Sequence, residues 1–228
     1  MAGKPSTIEV LPEDILLEIF DFYKLASTSL SWGWHKLTHV CQQWRCIVFA
    51  SQCRLNLRLL CTYETPIKKT LDCWPTIPIV VQNKGNLKTR QTPSPEEEDS
   101  IVTALQHRDR VCEIDLVLQG SLSEKIPDIL RESFPLLERL VLRSCDSAPV
   151  LPSTFLGGST PRLRVLHLGV TAFPALPLLL SSTSDLIDLQ LEGVPSAGYI
   201  SPEALVTGLS STPQLETLRL VCVPDFPP

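Results

Sequence analysis

PLLERLVL (residues 135–142), PRLRVLHL (161–168), SDLIDLQL (184–191) and PQLETLRL (213–220) are one phrase written four times. Each carries Leu-x-x-Leu-x-Leu, as Leu137/Leu140/Leu142, Leu163/Leu166/Leu168, Leu186/Leu189/Leu191 and Leu215/Leu218/Leu220, at intervals of 26, 23 and 29 residues. A unit with one apolar face cannot bury that face alone, so a phrase returning at such intervals predicts stacked repeats that share a core. Alternation within the phrase turns the leucines to the buried side of a strand and the residues between them to the other side. Pro135, Pro161 and Pro213 stand at the same offset before three phrases, and Ser184 takes that place in the fourth. Proline there stops a preceding helix and releases the chain into an extended segment. Upstream, Val111, Ile114 and Leu116 repeat the pattern more weakly.

Between the strands the chain predicts helices or irregular connections. SLSEKIPDILRESF puts Ile126, Ile129, Leu130 and Phe134 on one helical face, and Ser201 before Pro202 and Glu203 suits a helix N-cap and first turn. The pattern resembles leucine-rich repeats in period, phrase and proline offset. That resemblance calls for Asn or Cys three residues after the last leucine; Cys145 matches, whereas Thr171, Val194 and Val223 depart. The expected fold class is α/β, an N-terminal helical unit followed by an irregular solenoid with parallel strands on the concave side and helices on the convex side. A concave strand face suits a protein partner. Its candidate contact residues are Glu113, Asp115, Arg139, Val141, Arg143, His167, Asp188, Gln190, Glu192 and Arg219. The mixture of charge signs favours selective recognition of a protein over a plain anion site, although Arg139, Arg143 and Arg219 would receive a phosphate if they clustered.

With 228 residues, 43% of them hydrophobic and 20% charged, the chain is long enough and apolar enough to bury a core of its own. A net charge of −5 supplies no basic field, so nucleic acid is not an expected partner. Pro12, Glu13 and Asp14 interrupt the N-terminal apolar residues and exclude a signal-peptide core, and no run reaches membrane-spanning length. The expectation is an intracellular protein, cytoplasmic or nuclear, without a membrane partner. Eight cysteines, Cys41, Cys46, Cys53, Cys61, Cys73, Cys112, Cys145 and Cys222, form no Cys-x-x-Cys pair and are expected as reduced, mostly buried thiols.

The segment IEVLPEDILLEIFDFY predicts a helix. Pro12 suits its first position, Glu13 and Asp14 complement the dipole, and Ile15, Leu16, Ile19, Phe20 and Tyr23 form an apolar stripe. WHKLTHVCQQWRCIVFA predicts a second helix, with Leu37, Val40, Cys41, Trp44, Ile47 and Val48 on one side. LPEDILLEIF followed by HVCQQWRCIVFAS resembles an F-box, whose pattern is Leu-Pro-x-Glu with an apolar helix, then Val-Cys-x-x-Trp-Arg. The matching positions are Leu11, Pro12, Ile15, Leu16, Ile19, Phe20, Val40, Cys41, Trp44 and Arg45, with the acids at Glu13 and Asp14. The stretch KLASTSLSWGWHKL, with Trp32, Gly33 and Trp34, departs from the usual middle helix, and the region after Trp44 resembles fungal F-box-like proteins.

This resemblance implies a substrate-recognition subunit of an SCF-type ubiquitin ligase. The F-box would dock on a Skp-family adaptor and through it a cullin-RING ligase, while the repeats hold a protein substrate. Such a subunit acts by proximity and needs no catalytic residue, metal or cofactor of its own. Leu11, Pro12, Leu16, Ile19, Val40 and Trp44 are the expected adaptor contacts or their direct support. The alternative is a leucine-rich-repeat scaffold without a ligase role.

The corresponding organisation is a flexible N-terminus over 1–7, F-box helices over 8–54, a connector over 55–100 and the solenoid over 101–228. Within the connector, TLDCWPTIPIVVQ is expected as an edge or capping strand and residues 83–94 as a loop. Ser94 with Pro95 and Glu97 predicts a capped helix start, and Thr92 and Ser94 precede prolines as candidate phosphorylation sites. His35 and His39 are four apart, with Cys41 and Cys46 nearby, but lack the intervening glutamate and ligand spacing of a zinc site. The chain stops at VPDFPP directly after a repeat strand; either the prolines shield that end or the chain is a shortened form of a longer protein.

Overall fold

The computed structural model describes residues 11–26, 34–63, 65, 67–74, 77–83 and 94–222. In chain order the elements are α1 (Glu13–Ala26), α2 (Trp34–Thr38), α3 (Gln42–Ala50), β1 (Leu59–Cys61), α4 (Ile67–Cys73), β2 (Ile79–Gln82), α5 (Pro95–Gln106) and β3 (Val111–Leu118). They continue as α6 (Leu122–Ile129), β4 (Arg139–Ser144), β5 (Val165–Gly169), α7 (Leu176–Leu180), β6 (Asp188–Val194), α8 (Pro202–Leu209) and β7 (Thr217–Cys222). The chain divides into two compact units, Met1–Leu60 with Trp74–Pro78, and Cys61–Cys73 with Ile79–Pro228.

The strands form one sheet in the order β1-β2-β3-β4-β5-β6-β7, and every pair from β2 to β7 is parallel. Strand order follows chain order because each crossover advances the chain by one repeat. Register follows the leucines: Ile114, Leu140, Leu166, Leu189 and Leu218 are aligned, as are Leu116, Leu142, Leu168, Leu191 and Leu220. A slip of one residue would turn every leucine outward, so burial fixes this register. Leu140, Leu142, Leu166 and Leu189 are fully buried. The helical side closes over them with Leu122 and Ile126 of α6 and Leu176, Leu179 and Leu180 of α7, all buried.

The recurring proline has a local role beyond stopping a helix. The first leucine of each phrase closes a turn on the residue three before it: Leu137 to Phe134, Leu163 to Thr160, Leu186 to Thr183 and Leu215 to Thr212, at 3.1–3.4 Å between backbone nitrogen and oxygen. Proline's fixed φ suits the second position of such a turn, where Pro135, Pro161 and Pro213 stand and where Ser184 substitutes. One residue later the ladder between repeats begins, running from Glu138 N to Cys112 O, Arg164 N to Glu138 O, Ile187 N to Arg164 O and Glu216 N to Ile187 O. Between β4 and β5, Gly157 takes φ +69°, and a Cβ there would lie 2.9 Å from that of Ser133, so the Gly-Gly pair is a requirement of this turn.

The last phrase is only partly core, because Leu218 and Leu220 are 45% and 44% exposed. They border β6 on one side, and no strand follows β7 among the described residues. The segment expected as an edge strand splits: Ile67–Cys73 is helix α4, and β2, which follows, lies inside the sheet beside β3. The expected helix after β3 is shorter, ending at Ile129, two residues beyond the Pro127 that it contains. The Ser94 cap forms as the residues imply, with Glu97 N donating to Ser94 Oγ at 3.3 Å and Ser94 N to Glu97 Oε2 at 2.6 Å. Ser201 likewise accepts from Ala204 N at 3.2 Å to open α8. Residues 1–7, most of the 83–94 loop, Thr92, Trp32, Gly33 and the VPDFPP end lie outside the described residues.

In the first unit the expected second helix is two helices. α2 stops at Thr38, and α3 restarts after Cys41, whose extended backbone and sulfur cap the Trp44 N–H at 3.5 Å. Arg45 Nε donates to Thr38 O at 2.9 Å across that break. Phe20 of α1 meets Trp44 of α3 edge to face at 4.8 Å, a geometry that suits the ring quadrupoles.

The thiols also differ from expectation. Cys61 and Cys112 are buried, but Cys46, Cys53, Cys73 and Cys145 are exposed. Burial pushes the Cys61 thiol from 9.0 up to about 12, partly offset by Arg110. Above 9 an unfolded chain loses this proton while the folded chain keeps it, so stability falls as pH rises from about 9 towards about 12. Urea titrations at pH 8 and pH 10 are expected to show a smaller alkaline loss for Cys61→Val than for the native chain.

Candidate functional site

Helix α1 has two apolar faces rather than one stripe. Glu13 and Asp14 occupy its first turn, and Leu16 N bonds back to Pro12 O at 3.1 Å, so the helix opens one residue later than Pro12 itself. Leu16, Leu17 and Phe20 are buried. Ile15, Ile19 and Phe22 recur at helical spacing on the other face, exposed by 45%, 41% and 74%. Arg54 steadies the polar side of the helix, donating to Glu18 Oε1 at 2.6 Å and to Asp21 Oδ2 at 3.2 Å.

The six expected adaptor residues separate accordingly. Pro12, Ile19 and Val40 are exposed and Leu11 is half-buried, so these four can meet a partner. Leu16 is fully buried and Trp44 is 8% exposed; both are core of the helical unit, and any part they play in binding is support. Ile15 and Phe22 join the exposed set. Phe22 lies outside the apolar stripe expected from the sequence, although its position seven after Ile15 puts it on the same face.

In the second unit the residues between the leucines form three rows on the open face of the sheet. The first aligns Glu113, Arg139, Val165, Asp188 and Thr217; the second Asp115, Val141, His167, Gln190 and Arg219; the third Val117, Arg143, Gly169, Glu192 and Val221. Neighbouring strands satisfy one another's charges. Arg143 Nη1 donates to Asp115 Oδ1 at 3.3 Å, and Arg219 Nε donates to Glu192 Oε1 at 3.1 Å. His167 Nε2 lies 2.7 Å from Asp188 Oδ2, and Gln190 Nε2 donates to both oxygens of the same carboxylate at 3.1 and 3.2 Å.

Of the ten expected contact residues, Val141 is the exception: it is fully buried between Asp115 and His167 in its row. The three arginines do not form a phosphate site. Arg139 and Arg143 stand four residues apart on β4, about 13 Å at strand rise, and Arg219 is three strands away, about 14 Å. Arg143 and Arg219 already face carboxylates.

Among the described residues, no group of three or more His, Cys, Asp or Glu is placed to hold a metal, and no helix is long and apolar enough to cross a membrane. Compared with known proteins, the sequence matches no family model and no curated protein.

Proposed function

We propose that the chain is a substrate-recognition subunit of an SCF-type ubiquitin ligase, its N-terminal helices docking a Skp-family adaptor and its repeats holding a protein substrate. The observation that carries this is the exposed apolar stripe Ile15, Ile19 and Phe22 on a helix whose other face already fills a core. Apolar side chains in such a line gain free energy when a partner removes them from water. Leu11, Pro12 and Val40 add to the same resemblance to an F-box.

The sheet face supports the second half of the reading. It is polar, mixed in sign and held in a fixed register by buried leucines, a combination that favours one complementary partner and penalises others through unmatched charge. Recruitment would act by raising the local concentration of an acceptor lysine beside a ubiquitin-charged enzyme.

Co-expression with a Skp-family adaptor tests the docking half. The native chain is expected to co-purify with it, and Leu11→Ala combined with Pro12→Ala to lose it while keeping the native thermal midpoint. Equal recovery of adaptor would count against the assignment. Ubiquitin transfer to a bound partner in a reconstituted reaction separates a ligase subunit from a scaffold without that role.

A further inference from the structure

The third row of the open face contains a gap. Arg143 on β4 and Glu192 on β6 flank Gly169 on β5, which contributes no side chain. A cavity of about 110 Å³ sits there, lined by Arg143, His167, Leu168, Gly169, Gln190 and Glu192. Two strand spacings separate the arginine and glutamate backbones, about 10 Å. Each side chain is bound to its outer neighbour, Arg143 to Asp115 and Glu192 to Arg219.

The walls of this notch differ in chemistry. Arg143 lies against Gly169 through its Cβ and Cγ, and its bond to Asp115 uses one of five N–H donors, so the others are available to an occupant once the guanidinium turns towards it. Glu192 offers its second carboxylate oxygen from the opposite side. Gln190 spends its Nε2 on Asp188, which leaves its carbonyl Oε1 as another acceptor. An occupant therefore needs an acceptor towards β4 and a donor towards β6. A carboxylate would meet Glu192, a lysine or arginine would meet Arg143, and an aliphatic group would desolvate both without replacing their hydrogen bonds. A primary carboxamide is neutral, carries both functions on one plane, and pairs with each wall.

We infer that the notch over Gly169 receives an asparagine or glutamine side chain from an extended partner segment, its carbonyl accepting from Arg143 and its amide donating to Glu192 and Gln190. This rests on the reading of the open sheet face as the protein-binding surface, and it adds the feature that surface selects.

Gly169→Val is the direct test. Gly169 lies in a strand without a left-handed φ, and a Cβ there makes its nearest contact at 3.4 Å with Arg143 Cγ, so the substitution fills the notch without forcing the backbone. A phage-displayed library of random heptapeptides is selected on the native protein, and the winners are synthesised and titrated by fluorescence anisotropy. The expected result is a fixed Asn or Gln position, with affinity falling at least tenfold on changing it to Glu or Leu, and equally on Gly169→Val with an unchanged melting midpoint. Peptides that bind Gly169→Val normally but lose affinity for Arg219→Glu would overturn the notch and leave the face as a binding surface. Failure to select any peptide, or selection of peptides indifferent to both substitutions, would remove both.

Discussion

Leu166→Ala is expected to destabilise the repeat unit by about 2–5 kcal/mol, the range for removing a buried leucine side chain without full collapse of the space it leaves. Leu166 is fully buried at the centre of a row, with Leu140 on one neighbouring strand and Leu189 on the other. The cost is a large share of the roughly 5–15 kcal/mol that holds an ordinary domain together. It also falls where nearest-neighbour contacts couple successive repeats, so a weakened β5 loosens both flanks. The row provides its own control. Leu218 occupies the equivalent place in β7 but is 45% exposed, so Leu218→Ala removes less buried surface and is expected to cost under half as much. Urea titrations followed by far-ultraviolet circular dichroism measure both. Equal losses at the two positions would show that β7 is covered as completely as β5.

The second large effect concerns binding with folding held constant. Ile19→Asp places a charge in the centre of the exposed α1 stripe, between Ile15 and Phe22. In the free protein that charge stays in water, so the melting midpoint is expected to move little. Against an apolar adaptor groove the same charge would be buried without a partner, and adaptor binding is expected to fall by at least a hundredfold. Leu16→Ala, on the buried face of the same helix, is expected to show the opposite pattern: a lower melting midpoint, with affinity retained wherever the unit remains folded. A pair of variants three residues apart thus separates contact from support.

The repeated phrase made the sheet legible, because strand period, leucine spacing and turn chemistry all agree. The rows on the open face follow from that register, and Asp115, Arg143, His167, Asp188, Gln190, Glu192 and Arg219 stand where the alternation puts them. What the alternation could not show is which outward side chains are covered by their neighbours. Val141, aligned with Asp115 and His167, is fully buried although the alternation turns it to the open face. Gly169 illustrates the converse, since a missing side chain becomes a cavity only when the adjacent strands bring Arg143 and Glu192 to either side.

The helical unit was less legible for a related reason. An apolar residue on a short helix serves a core or a partner, and periodicity near 3.6 does not distinguish them when both faces are apolar. Ile15 and Leu16 are adjacent in sequence, similar in hydrophobicity and opposite in burial. The break between α2 and α3 is not visible in the apolar periodicity, because Cys41 falls in step with that periodicity yet caps the new helix through its sulfur. That break is what leaves Val40 exposed rather than packed beside Trp44.

The central claim is that this chain docks a Skp-family adaptor through the exposed face of α1. Isothermal titration of the purified full chain with a purified Skp-family adaptor tests it most directly. A saturable one-to-one complex that Ile19→Asp abolishes, with its fold intact, is the predicted result. No heat of binding from the native protein, or binding that Ile19→Asp leaves unchanged, would contradict it.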